Sequence, residues 1–154
     1  MEHQIQVEQT ATCVCAFIPD EHQLKHWIEA ALPEDSSFSL DVRLVDSDEM
    51  KMLNQQYRKK DKVTDILSFP FTPPEHLTTP FLGDIVLCPE KINHDANENH
   101  IPLNERWGHL LVHGTLHLLG YDHENDEEAN KMAEQEIKIL EKLAIPNPYE
   151  KPNE

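Results

Sequence analysis

Apolar and polar residues alternate along Phe38-Ser39-Leu40-Asp41-Val42-Arg43-Leu44, placing Phe38, Leu40, Val42 and Leu44 on one side. That two-residue period predicts a strand with one buried face. Ile66-Leu67-Ser68-Phe69 and the run from Leu82 to Leu87 predict two more strands, and Ile5-Gln6-Val7 predicts the core of a short first one. Elsewhere the period lengthens to that of a helix. Leu24, Trp27, Ile28 and Ala31 recur at helical spacing behind Asp20, which caps with Gln23 three residues on, and Pro33 ends the run. Ser47 opens a helix with Met50, Leu53 and Tyr57 on one side, and Pro89 opens a shorter one towards Asn97. Asn104 is expected to cap a helix running through His109, His113 and His117 to Gly120. Asn125 with Glu128 begins the last, with Ala129, Met132, Ala133, Ile137 and Leu140 inward. The Pro- and Thr-rich stretch from Pro70 to Pro80 reads as a loop, and the polar tail from Pro146 is expected to be loose.

Strands interspersed with about five helices in 154 residues predict a single α+β domain, α/β-like in its mixing, spanning residues 1–154 with 146–154 as a tail. Its sheet would hold about four strands, and no linker divides it. No run of about 18 apolar residues exists, so no membrane span is expected. The 13 basic and 29 acidic residues leave a net charge of −16, which excludes broad, sequence-independent grip on nucleic acid. The charge is uneven, however: Arg58-Lys59-Lys60-Asp61-Lys62 is locally basic, whereas the chain after His123 is acidic. Cys13, Cys15 and Cys88 cannot all pair, and Met1-Glu2-His3-Gln4 lacks the start of a secretion signal. A reducing, cytoplasmic setting follows, with the cysteines read as packing residues.

The histidines change the picture. His113-Gly114-Thr115-Leu116-His117 puts two imidazoles four residues apart, about 40° around a helix and one turn along it. Such a pair alone is common by chance. Gly120 suits the left-handed residue that ends a helix, after which the chain can double back and deliver His123 to the same volume. Three neutral imidazole nitrogens leave a fourth tetrahedral position open, the coordination of a catalytic zinc, which can bring the pKa of a bound water to roughly 7. One zinc held by His113, His117 and His123 is therefore the expected centre. His109, a turn earlier on the same face, is expected to support or pack rather than ligate, and Asp122 to orient a ligand. The spacing matches His-Glu-x-x-His-x-x-Gly-x-x-His of the metzincin peptidases except that Gly114 stands where those enzymes carry their general-base Glu.

The segment from His113 to His123, reading His-Gly-Thr-Leu-His-Leu-Leu-Gly-Tyr-Asp-His, resembles the signature of the YbeY family of bacterial zinc-dependent endoribonucleases and rRNA maturation factors. Arg58 through Pro70, with Thr64-Asp65-Ile66-Leu67-Ser68-Phe69-Pro70, and Leu82-Gly83-Asp84-Ile85-Val86 resemble two further family segments. Lys62 stands where that pattern carries proline. The resemblance implies a mixed four-stranded sheet packed with helices and a His-His-His zinc site at the end of the His113–His117 helix. It further implies cleavage of RNA during maturation of the small ribosomal subunit, with that subunit and the GTPase Era as partners, and neither membrane nor DNA. It also puts Arg58 in a basic signature, where a planar guanidinium can stabilise charge that builds on a phosphate. Asp65, Ser68 and Asp84 read as structural. The competing readings are a zinc peptidase-like hydrolase, weakened by Gly114, and a ribosome assembly factor with a structural zinc closed by His109 or Asp122.

Overall fold

The computed structural model describes residues 3–12, 17–73, 80–121 and 125–149. Four strands, β1 (Gln4–Gln9), β2 (Ser39–Leu44), β3 (Ile66–Pro70) and β4 (Phe81–Leu87), form one sheet in the order β1-β2-β4-β3. β1, β2 and β4 run parallel, with Val7 beside Val42 and Val42 beside Ile85, while β3 is antiparallel to β4 and forms one edge. Five helices complete the domain: α1 (Glu21–Ala31), α2 (Ser47–Arg58), α3 (Pro89–Glu98), α4 (Leu103–Leu118) and α5 (Asp126–Lys142).

The alternation seen in the sequence sets the two faces. Leu40, Val42, Leu44, Ile85 and Leu87 are fully buried against Trp27 and Ile28 of α1, Trp107 and Leu111 of α4 and Leu140 of α5. Val86 points the other way and joins Met50 of α2, Val45, Leu67 and Cys88 in a smaller cluster. β4 is thus apolar on both faces, as a central strand covered on both sides must be. The helix starts read from Asp20 and Asn125 hold: Asp20 accepts the Gln23 amide at 2.8 Å and Asn125 that of Glu128 at 2.9 Å.

Three details differ from the sequence reading. α4 starts two residues early, at Leu103, with Pro102 at the cap position and Asn104 inside the first turn. Proline holds the extended φ that a cap needs, so no side-chain cap is required there. On α2, Tyr57 is 57% exposed and lies edge-on to Phe69, while Asn54 is buried and donates to the Lys62 carbonyl at 3.0 Å. That bond holds the turn at Lys62. On α5, Ala129, Ala133 and Ile137 are only half-buried, and the fully inward residues are Met132, Glu136, Ile139 and Leu140.

Candidate metal centre

α4 carries His109, His113 and His117 at successive turns. Nε2 of His113 and Nε2 of His117 face each other at 3.0 Å, with the rings 4.5 Å apart and nearly perpendicular. The other nitrogen of each ring decides what those two atoms are. After Leu118 the chain closes a Schellman turn: Gly120 (φ 105°) donates to the His117 carbonyl and Tyr121 to that of Leu116. This brings the Tyr121 carbonyl to 3.1 Å from His117 Nδ1. A carbonyl only accepts, so Nδ1 of His117 carries the proton and the neutral ring's Nε2 is a lone pair.

His113 is fixed in the same sense from the opposite side. Its Nδ1 donates to Oε1 of Glu136, a fully buried carboxylate on α5. Its Nε2 is then a lone pair as well. With both rings neutral these two nitrogens are lone pairs aimed at one volume, the arrangement of two imidazoles that share a metal. His123 and Asp122, expected as third ligand and orienting residue, lie outside the described residues, as do Cys13 and Cys15.

Glu136 collects three donors. Besides His113, His109 Nε2 stands 3.2 Å from Oε2, and the Tyr149 hydroxyl donates to the same oxygen. His109 donates there because Arg106, which has no acceptor, lies 3.3 Å from its Nδ1. Arg106 in turn pairs with Asp65 at 2.9 Å, so Asp65 has the bracing role expected of it. Burial alone would push the Glu136 carboxyl up. Hydrogen bonds from His109, His113 and Tyr149 outweigh it and bring the pKa down to about 2. The Tyr149 phenol moves upward, through burial first and then through its bond to Glu136 and that residue's charge, against a smaller opposing pull from Arg106. It therefore stays protonated and donates.

His109, His113 and Glu136 form a group that can hold a metal ion, their nearest ligand atoms lying within 4.8 Å of one another. Only His113 is shared with the ligand set expected from the sequence. Within this trio each close histidine nitrogen already points a proton at the carboxylate, and Arg106 sets a fixed positive charge beside His109. The Nε2 atoms of His113 and His117 are instead turned towards each other and not towards a carboxylate.

That pair opens on a cleft of about 650 Å³ between the end of α4 and β3. Arg58, Lys60 and Lys62 line it with His113, His117 and Tyr121. Arg58 is the last residue of α2. Lys59 ends the helix in a left-handed conformation (φ 61°), and the Arg58 guanidinium donates to the Ser68 carbonyl at 3.2 Å. The locally basic segment thus forms one side of the cleft that the histidines enter. Gly114, on α4 between the two histidines, packs against β3: a Cβ there would stand 3.0 Å from Ile66 Cδ1 and 3.2 Å from Ser68 Oγ. A side chain at 114 would require Ile66 and Ser68 to give by a few tenths of an ångström.

Glu136, Tyr149 and Arg106 were not singled out by the sequence reading. A signal existed for the first. Met132, Glu136 and Leu140 fall on one stripe of α5, and an acid on an inward stripe needs partners. Asp84 remains outside the site. It lies beside Asp41 on β2, and burial first, then the Asp41 charge, raise its pKa against the pull of Arg43.

Comparison with known proteins gives the family. The profile of the family described as Endoribonuclease YbeY matches residues 4–144. Endoribonuclease YbeY of Colwellia psychrerythraea is 44% identical over 154 residues, covering 97% of this chain and 98% of that protein. The solution structure of TM1509 from Thermotoga maritima matches with a TM-score of 0.53 at 25% identity, over 98% of this chain and 99% of its own. The chain belongs to the YbeY endoribonuclease family.

Proposed function

We propose that this chain is a zinc-dependent endoribonuclease, with His113, His117 and His123 as the metal ligands and Arg58 as the residue that stabilises charge on the scissile phosphate. The observation that carries this reading is the Nε2 pair at 3.0 Å, each ring's other nitrogen held by its own partner, in one cleft with Arg58. Neutral imidazole nitrogens are a fitting donor set for zinc. When bound, zinc supplies Lewis acidity towards a phosphodiester and its attacking water.

The protein's own residues do the rest. Arg58 offers a permanent cation whose fork matches phosphate oxygens, and its bond to the Ser68 carbonyl holds it on the cleft wall. Lys60 and Lys62 add local positive charge that a chain of net charge −16 otherwise lacks, so RNA engages this cleft rather than the surface at large. His109 turns its nitrogen to Glu136 and away from the Nε2 pair, which supports a coordination position left for substrate over a closed structural site. Gly114 provides no carboxylate base, which speaks against peptide hydrolysis. The substrate is single-stranded ribosomal RNA of the small-subunit precursor. The partners that the family resemblance implies are the small subunit and the GTPase Era, in the cytoplasm. No helix among the described residues is long and apolar enough to cross a membrane.

Metal analysis joined to a cleavage assay on a structured RNA, with and without chelator, tests this. About one zinc per chain and chelator-sensitive cleavage are expected. Metal-free protein that cuts RNA at the full rate, or zinc-loaded protein that cuts peptides and spares RNA, defeats the reading.

A further inference from the structure

The three donors to Glu136 come from unequal places. His109 and His113 both sit on α4, the helix that carries the ligands themselves, so they cannot hold the carboxylate in position independently of the group it is meant to orient. Tyr149 is different. It follows α5 and approaches from the far side, with its ring edge-on to His109 at 5.7 Å and its hydroxyl on Oε2. The ring is 52% exposed, yet its oxygen reaches a carboxylate that is fully buried.

The chain leading to Tyr149 is anchored step by step. Ala144 adopts a left-handed conformation (φ 60°) and closes a second Schellman turn, in which Ile145 donates to the Leu140 carbonyl at 2.8 Å. Ile145 then enters the core beside Trp27 and Gly108, where a Cβ on residue 108 would stand 2.5 Å from Ile145 Cδ1. A side chain at position 108 would have to displace Ile145 from that place. Two residues on, Asn147 Oδ1 accepts the Tyr149 amide at 2.8 Å and turns the segment towards His109.

We propose that Tyr149 is a positioning residue for the metal centre: its hydroxyl fixes the Glu136 carboxylate so that His113 keeps its proton on Nδ1 and aims Nε2 at His117. The inference rests on the reading of His113 as a ligand. A hydroxyl that only tied down the chain end would stabilise the fold and leave metal affinity alone. One that sets the carboxylate acts through Glu136, and its effect disappears when that carboxylate is gone.

Tyr149→Phe keeps the ring and removes only the hydroxyl. Zinc dissociation constants are measured by competition with a chromophoric chelator for the parent, Tyr149→Phe, Glu136→Gln and the double variant. The visible spectra of the Co²⁺ forms and the melting temperatures of the metal-free forms are recorded alongside. Tyr149→Phe is expected to weaken zinc by about 10-fold, the lower end of the loss seen when a partner of a ligating histidine is removed. The Co²⁺ bands should shift, and the metal-free melting temperature should fall slightly, since Glu136 loses one of its three donors. In the Glu136→Gln background the same change should cost almost nothing, because the two effects share one path. Unchanged zinc affinity in Tyr149→Phe, or an equal loss in both backgrounds, overturns the proposal while His113 stands as a ligand. If His113→Ala binds zinc as tightly as the parent, the ligand reading fails and the proposal falls with it.

Discussion

The two sides of His113 are built on opposite terms. On its Nδ1 side, Glu136 is fully buried, ringed by His109, His113 and Tyr149, and backed by the Arg106–Asp65 pair. Every polar group there has a partner. On its Nε2 side, the ring meets the lone pair of His117 and a cleft whose walls carry Arg58, Lys60 and Lys62. The first side is saturated and the second is reactive, and the first makes the second possible. A histidine without a fixed Nδ1 partner can carry its proton on either nitrogen and spends part of its population in the tautomer that cannot bind through Nε2. A carboxylate locked from behind removes that ambiguity.

Removing the reactive side should have the largest effect. His117→Ala deletes one of the facing nitrogens, and zinc affinity should fall by about 10²-fold or more, with RNA cleavage lost alongside. Inductively coupled plasma analysis of the purified variant checks it, and a zinc content equal to the parent's would remove His117 from the ligand set. Arg58→Ala breaks the same side without touching the metal. Cleavage should drop by about 10²-fold, the scale of one lost charge donor in the transition state, while zinc content stays unchanged. Arg58→Lys should recover only part of the rate, since a point charge does not reproduce the guanidinium fork. Full activity in Arg58→Ala would leave the basic wall without a catalytic part.

The saturated side should yield smaller, pH-dependent effects. The Glu136 carboxyl lies at about 2 in the fold against an ordinary 4.5, so its contribution is present above 4.5 and is lost as pH falls from there towards 2. Denaturant unfolding of the metal-free protein between pH 6 and pH 3 should therefore show a steeper loss of stability in the parent than in Glu136→Gln, and parallel curves would mean that the carboxylate is not held as described. Asp84 supplies the contrast and the smallest shift. Its pKa is raised, so its charged form burdens the fold at neutral pH and the burden lifts on acidification. Asp84→Asn should raise the melting temperature by about one or two degrees at pH 7, with the gain fading at low pH. A melting temperature below the parent's at pH 7 would show a partner for Asp84 that its surroundings do not suggest.

How much of this was legible depended on how far apart the partners lie in the chain. The faces of β2, the caps at Asp20 and Asn125 and the approach of His113 to His117 all follow from local spacing, and all were readable. So was the turn after α4, because Gly120 marks its left-handed residue. The matching turn after α5 was not, since Ala144 takes that conformation and leaves no glycine to notice. Glu136 lies 23 residues from His113, and only the packing of α5 on α4 brings them together. Tyr149 was further hidden by the polar, proline-rich residues around it, which read as an unanchored tail. The exposure of Tyr57 was missed for a related reason: a helical stripe tells which residues share a side, but the neighbouring elements decide how far round the burial extends.

The contact of Gly114 with β3 also bears on what this scaffold can be turned into. Installing the glutamate of a zinc peptidase at position 114 looks like a single substitution on paper. Here its Cβ would stand 3.0 Å from Ile66 Cδ1 and 3.2 Å from Ser68 Oγ at the edge of the sheet, so those side chains would have to give by a few tenths of an ångström. An engineer seeking that chemistry would pair the new base with a smaller residue at position 66, at the cost of some packing beneath α4.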